Sequence, residues 1–147
     1  MSGEQVRLTG RVRVALPPEE AFRLFTPLGE RDWAPGWEPH FPSPTADDAD
    51  PGTVFETGAH GATTTWLVLD RRPGRHISYA RVTPDVWAGT VAVTLDDAGG
   101  HSDVSVTYAL TALRPSAAPG LEDFARGYPE YLQSWEDAIA ARLYTVS

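Results

Sequence analysis

Residues 6–16 alternate between apolar and polar. Val6, Leu8, Val12, Val14 and Leu16 fall on one face, and Arg7, Thr9, Arg11 and Arg13 on the other. A period of two predicts a half-buried strand with a solvated outer face. Pro17-Pro18-Glu19-Glu20 then predicts a short helix, because proline suits a first turn and carboxylates suit its positive end. Phe22, Phe25 and Leu28 are its expected buried side, and a second helical turn is expected from Glu30 to Trp33. Near the end of the chain the period lengthens. Leu132, Trp135, Ala138, Ile139 and Leu143 recur at three- and four-residue spacing, with Glu130, Gln133, Ser134, Glu136 and Asp137 between them. That is one apolar stripe along a helix. Gly127 and Pro129 interrupt the helical stretch 121–144, so a kink near Tyr128 or a fresh helix start is expected. From Pro129 to Tyr144 the helix would run roughly 24 Å, enough to cross one face of a curved sheet.

Between Thr53 and Leu113 the chain reads as consecutive hairpins whose registers can be tested against one another. A turn at His60-Gly61 pairs Thr57 with Thr64 and Phe55 with Trp66. Pro73-Gly74, with glycine where a type II turn needs positive φ, pairs Val68 with Tyr79 and Trp66 with Arg81. A link at Pro84–Val86 pairs Arg81 with Gly89 and Tyr79 with Val91. Gly99-Gly100, a two-residue hairpin turn, pairs Leu95 with Val104 and Val91 with Tyr108. A slip of one residue in any hairpin would turn that strand over. All four instead agree, placing Phe55, Trp66, Val68, Ile77, Tyr79, Trp87, Val91, Val93, Val106, Tyr108 and Leu110 on one face. Glu56, Thr63, Thr65, Ser78, Thr90, Thr94, Ser105 and Thr107 take the other. The prediction is an α+β fold: a strand, two short helices, five or more further strands in one strongly curved antiparallel sheet, and a long C-terminal helix that the sheet wraps.

Residues 34–52 hold five prolines and little regular structure is expected there. Trp33, Trp37 and Phe41 sit in or beside this stretch, either as part of a lid or as pins that hold a long loop to the core. With 147 residues and a hydrophobic fraction of 41%, one domain covering 1–147 is expected. No apolar run approaches a membrane span, no secretory signal is visible, and there are no cysteines. A cytoplasmic chain without membrane insertion fits these features. The net charge of −8, carried against 12 arginines and no lysine, disfavours nucleic acid as a partner. The four histidines form no metal-ligand pattern: His60 and His101 fall at turns, His76 on the outer face and His40 in the proline-rich loop. No phosphate-binding glycine loop and no GxSxG elbow occur, so neither a metal nor a nucleotide cofactor is expected.

The order of elements resembles the helix-grip fold of the START-like superfamily, in particular its polyketide cyclase/dehydratase-like (SRPBCC) branch. The local text carries the resemblance: ALPPEEAFRLFTPLGERDWAPGWEP after the first strand, PGTVFET at the second, ISYARVTP at the fourth and YLQSWEDAI in the last helix. It covers nearly the whole chain. It implies a cavity between sheet and helix, and relatives that include lipid carriers, hormone-binding proteins, aromatic polyketide cyclases and activators of a heat-shock chaperone's ATPase. None of these motifs is a catalytic signature.

Arg81 is the residue that stands out chemically. By register it lies on the apolar face beside Trp66, where an unpaired guanidinium is costly and needs a partner. It would meet a ligand carboxylate, phenolate or enolate, with Trp66 stacked on its plane, or snorkel outward to a carboxylate such as Glu38. Tyr79 and Tyr108 would turn their hydroxyls into the cavity or serve as core packing. Phe55, Trp33, Trp37, Trp66, Trp87, Tyr128 and Trp135 are the expected lining. Gly89, opposite Arg81, is the position where an added side chain would fill the pocket. Three functions stand side by side: binding of a small hydrophobic or aromatic molecule, acidic ones included, by a monomer or homodimer; a cyclase, aromatase or dehydratase in which Arg81 stabilises enolate charge and Tyr79, Tyr108 or His40 moves protons; and a protein-interaction module of the chaperone-activator kind, which would need an exposed apolar patch.

Overall fold

The computed structural model describes residues 4–59 and 61–146, so His60 lies outside the described residues. Six strands form one antiparallel sheet: β1 (Gln5–Val14), β2 (Val54–Ala59), β3 (Ala62–Arg72), β4 (His76–Thr83), β5 (Trp87–Asp97) and β6 (Ser102–Ala112). The spatial order is β1-β6-β5-β4-β3-β2. Helix α1 (Pro18–Ala21) runs into a 3-10 turn at Phe22–Phe25, and a second 3-10 turn spans Gly29–Asp32. Helices α2 (Ala118–Arg126) and α3 (Tyr128–Val146) complete the chain.

The four hairpin registers are those that the alternation predicts: Phe55 faces Trp66, Trp66 faces Arg81, Arg81 faces Gly89 and Val91 faces Tyr108. A bulge between Val68 and Asp70 shifts the β3–β4 ladder by one residue before the Pro73-Gly74 turn. Because the shift falls beyond Val68, the inner face from Phe55 to Val68 keeps its phase. Gly99 and Gly100 take φ of +87° and +93°, the left-handed geometry that a tight hairpin turn demands.

Helix α3 closes the concave side. Leu132, Trp135 and Ile139 are buried, while Glu130, Gln133 and Asp137 are exposed, as the stripe predicts. The break before it is a fresh start: α2 ends where the Gly127 N–H bonds to the Asp123 carbonyl, and Tyr128 opens α3. Proline at the second position of α3 needs no N–H there. Gly10 on β1 lets α3 come close, since a Cβ at that position would stand 2.4 Å from Leu132 Cδ1. The Glu136 side chain accepts the Arg13 N–H at 2.7 Å, and the Tyr128 hydroxyl donates to the Val106 carbonyl at 2.6 Å. Together these contacts fix α3 over the β1–β6 half of the sheet and leave space over the β3–β4 half.

Two expectations need correction. Leu28 is 42% exposed rather than buried, because the chain tightens to three residues per turn after Ala21 and then turns extended at Thr26. Leu24 takes its place in the core. The outer face also carries more apolar surface than its threonines suggest. Val54, Leu67, Leu69 and Val82 are all exposed on adjoining strands β2, β3 and β4.

Candidate functional site

The space left beside α3 is a cavity of about 360 Å³, at the small end of the usual ligand pocket range of about 300–1,000 Å³. Its floor is the inner face of β3 to β6, with Trp66, Tyr79, Arg81, Val91, Val93 and Tyr108. One wall comes from the segment 25–37 with Phe25, Glu30, Trp33 and Trp37, and the facing wall from α3 with Tyr131, Trp135 and Ala138. Pro35, Gly36, Gly58 and Ser134 belong to the lining and are exposed, so they mark its rim.

The proline-rich stretch is pinned and also contributes wall. The Trp33 indole donates to the Leu24 carbonyl at 2.7 Å and the Trp37 indole to the Pro27 carbonyl at 2.7 Å. Each ring then leans edge-on against a partner across the cavity, Trp33 on Trp135 at 5.3 Å and Trp37 on Trp66 at 5.4 Å. Such edge-to-face pairs hold ring planes at fixed angles and leave flat faces for a guest.

Arg81 faces inward. Its Nη2 donates to Thr83 Oγ1 at 3.0 Å, and Thr83 shares a 2.5 Å hydroxyl bond with Thr64. The guanidinium carbon lies 5.0 Å from the Trp66 ring centre and 6.0 Å from that of Trp87. Nε is buried and has no hydrogen-bond partner. Among the described residues no carboxylate pairs with Arg81, and Glu38 does not reach it. Burial pulls the guanidinium's pKa below its ordinary value, with the fields of Tyr108 and Tyr131 opposing. Two indole faces and one threonine therefore hold a charge that lacks a counter-ion.

The tyrosines divide by the partner of their hydroxyl. Tyr79 donates to the Phe25 carbonyl at 2.7 Å, which commits it to holding the first 3-10 turn. Tyr128, committed to Val106, is outside the cavity lining. Tyr108 is buried beside the Tyr131 hydroxyl, and burial pushes its pKa well up, helped by Tyr131 and by the negative field of Glu30. Of the expected lining, Trp33, Trp37, Trp66, Tyr79, Arg81, Tyr108 and Trp135 meet at one cavity. Phe55, Trp87 and Tyr128 do not reach it. Phe55 is fully buried and stacked behind Trp66 at 5.8 Å, and Trp87 donates to the Ala117 carbonyl while touching Arg81. His40 is exposed, its main chain bridged to Glu56, and it is not part of the wall. Among the described residues no group of His, Asp and Glu is placed to hold a metal ion.

Sequence reading missed Glu30. This half-buried residue stands in the second 3-10 turn and lines the cavity, and desolvation raises its pKa well above the usual carboxylate value. The only sequence signal is its spacing, three residues before Trp33, which puts both on the same side of a 3-10 turn. A raised carboxylate pKa adds stability that is full below the ordinary value and is lost as pH rises through the raised one. Glu30→Gln is therefore expected to melt higher than the parent chain at neutral and alkaline pH. The gain should vanish below about pH 4, where both states hold the proton. Scanning calorimetry across pH checks this, and a pH-independent difference would refute it.

Residues 5–134 match the family model described as polyketide cyclase / dehydrase and lipid transport. No curated protein matches the chain in sequence. Solved structures share its fold at low identity. The protein MLL2253 from Mesorhizobium loti is 18% identical with a TM-score of 0.68, over 94% of this chain and 98% of that one. CalU16 from Micromonospora echinospora is 18% identical with a TM-score of 0.63, over 97% and 90%. The Aha1 dimer from Colwellia psychrerythraea is 15% identical with a TM-score of 0.64, over 91% and 96%. With a six-stranded curved sheet gripping a long last helix and a family match over most of its length, the chain belongs to the polyketide cyclase / dehydrase and lipid transport family of the START-like (SRPBCC) superfamily.

Proposed function

We propose that this chain, as one domain over 1–147, binds a small aromatic or apolar molecule carrying an anionic oxygen, with Arg81 as its anchor. The observation that supports this most strongly is the Arg81 guanidinium, which lines an aromatic-walled cavity with no carboxylate paired to it among the described residues. A desolvated cation without a counter-ion is costly, so an anionic ligand oxygen against the guanidinium would offset part of that cost. The indoles of Trp33, Trp37 and Trp135 on its walls suit a flat aromatic frame.

The test uses those same indoles as reporters. Tryptophan fluorescence titrated with 2-naphthoate and with the neutral, similarly shaped 2-naphthamide should give the acid about tenfold tighter binding, the worth of one charge-assisted hydrogen bond. Equal affinities would remove Arg81 as the anchor, and no response to either would remove the aromatic ligand class. A second reading, cyclase- or dehydratase-like chemistry on a ligand in the same cavity, is favoured by Glu30 and Tyr108 lining it with Arg81. An acid beside a site that stabilises enolate charge is the minimum such chemistry needs. Among the described residues no helix is long and apolar enough to cross a membrane.

A further inference from the structure

Arg81 shares its cavity with a second group that lacks an ionic partner. The main chain of Glu30 is fixed: its N–H bonds to the Thr26 carbonyl at 3.0 Å, and its own carbonyl accepts from Trp33 at 3.3 Å and Ala34 at 2.8 Å. The side chain is thus delivered by a rigid turn. Among the described residues, nothing offers its carboxyl a hydrogen bond or a cation. Glu30 and Arg81 do not pair with each other. Tyr108 lines the same cavity and feels both, Glu30 raising its pKa and Arg81 lowering it. An acid and a cation in one aromatic cavity, apart and each without an ionic partner, make two polar poles.

We infer that the cavity takes a ligand with two oxygen functions on an aromatic frame, an anionic one held by Arg81 and a carbonyl oxygen set against the Glu30 carboxyl. This rests on the Arg81 reading above and names what the other end of that ligand must be. A carbonyl oxygen only accepts hydrogen bonds, so Glu30 must supply the proton and meet it as a neutral acid. An ionised Glu30 would offer no donor and would add a second negative charge beside an anionic guest. The titratable and charged groups around Glu30 are Tyr79 and Arg81 from β4, Tyr108 from β6 and Tyr131 from α3, with Asp48 further off in the loop where it accepts the Leu28 N–H. Burial holds the Tyr79 and Tyr108 protons far above the ordinary phenol range. Glu30 is accordingly the group that changes charge as pH rises above the usual carboxylate value.

The experiment compares ketone and hydrocarbon partners of equal shape on the full chain: 6-acetyl- with 6-ethyl-2-naphthoate, and the shorter 4-acetyl- with 4-ethylbenzoate. Affinities are read by tryptophan fluorescence from about pH 5 to about pH 9, a window that starts just above the ordinary carboxylate value and stops short of phenols. In at least one pair the ketone should bind about fivefold tighter at the acid end, and this advantage should fade as pH rises. Glu30→Gln, a neutral donor of the same shape, should keep the ketone advantage at every pH. Glu30→Leu should abolish it at every pH while both members still bind. A purely structural role for Glu30 would move ketone and hydrocarbon alike, and that result overturns the inference. Equal affinities in both pairs across the pH range overturn it too, with the Arg81 reading left standing. Failure of all four acids to bind overturns both.

Discussion

Gly89→Leu is expected to abolish the native fold. On the inner face of β5, opposite Arg81 on β4 and Leu110 on β6, this position looks from the pattern like a place where a leucine would plug the cavity. The structure aims the absent side chain elsewhere. A Cβ there would stand 1.9 Å from the Ala109 carbonyl oxygen, 2.9 Å from its carbon and 3.0 Å from Leu110 Cα. All three are main-chain atoms of β6, a strand paired on both sides with no room to retreat. Relief requires parting β5 from β6 in the middle of the sheet. Ordinary overpacking costs about 1–3 kcal/mol, and a clash with main chain exceeds that range against a total stability of about 5–15 kcal/mol. Even Gly89→Ala should lower the urea midpoint sharply, with leucine worse. An alanine variant with the parental midpoint would show that β5 and β6 do not approach this closely. The same change is useless as a pocket plug, because a loss of binding in it would report unfolding.

What could be read from the chain follows from which signals are periodic. Strand alternation fixes a face, and four turns constrain one another, so the pattern alone puts Trp66, Tyr79, Arg81 and Tyr108 on one surface, as the registers bear out. The Leu132–Trp135–Ile139 stripe predicts the helix that covers them. Alternation carries no information about local twist, which is why Gly89 looked like open space. It also says nothing of depth: Phe55 and Trp87 share the inner face yet lie behind or beside the wall, Phe55 stacked on Trp66 and Trp87 packed on Phe124 of α2. Glu30 was hidden for another reason. It sits in an aperiodic stretch, where a carboxylate ordinarily points to water, and only the folding of residues 25–37 over the sheet encloses it. Leu28 shows the converse, an apolar residue left exposed because a 3-10 turn replaced the α-helical spacing that would have buried it.

The cavity also departs from what stability alone would select. A core that placed leucines at 30 and 81 would avoid desolvating a carboxyl and a guanidinium, and the chain keeps both without pairing them. Groups that cost stability and face a shared cavity are the usual mark of a site held ready for a guest.

Arg81→Met separates those two accounts of the cation. Methionine matches the length of the arginine stem and packs against Trp66 and Trp87 without a charge. Removal of a half-buried cation that lacks a counter-ion in favour of an apolar side chain of similar volume is neutral or mildly stabilising, so the variant should melt no lower than the parent. Binding should move the opposite way. Loss of a charge-assisted contact worth about 1.5–3 kcal/mol predicts roughly 10- to 100-fold weaker 2-naphthoate, with 2-naphthamide nearly unchanged. Were Arg81 a structural brace through Thr83 and Thr64, the variant would instead melt lower and weaken both ligands together. A stable protein that loses the acid and keeps the amide assigns the guanidinium to the ligand; an unstable one that binds both equally worse returns it to the core.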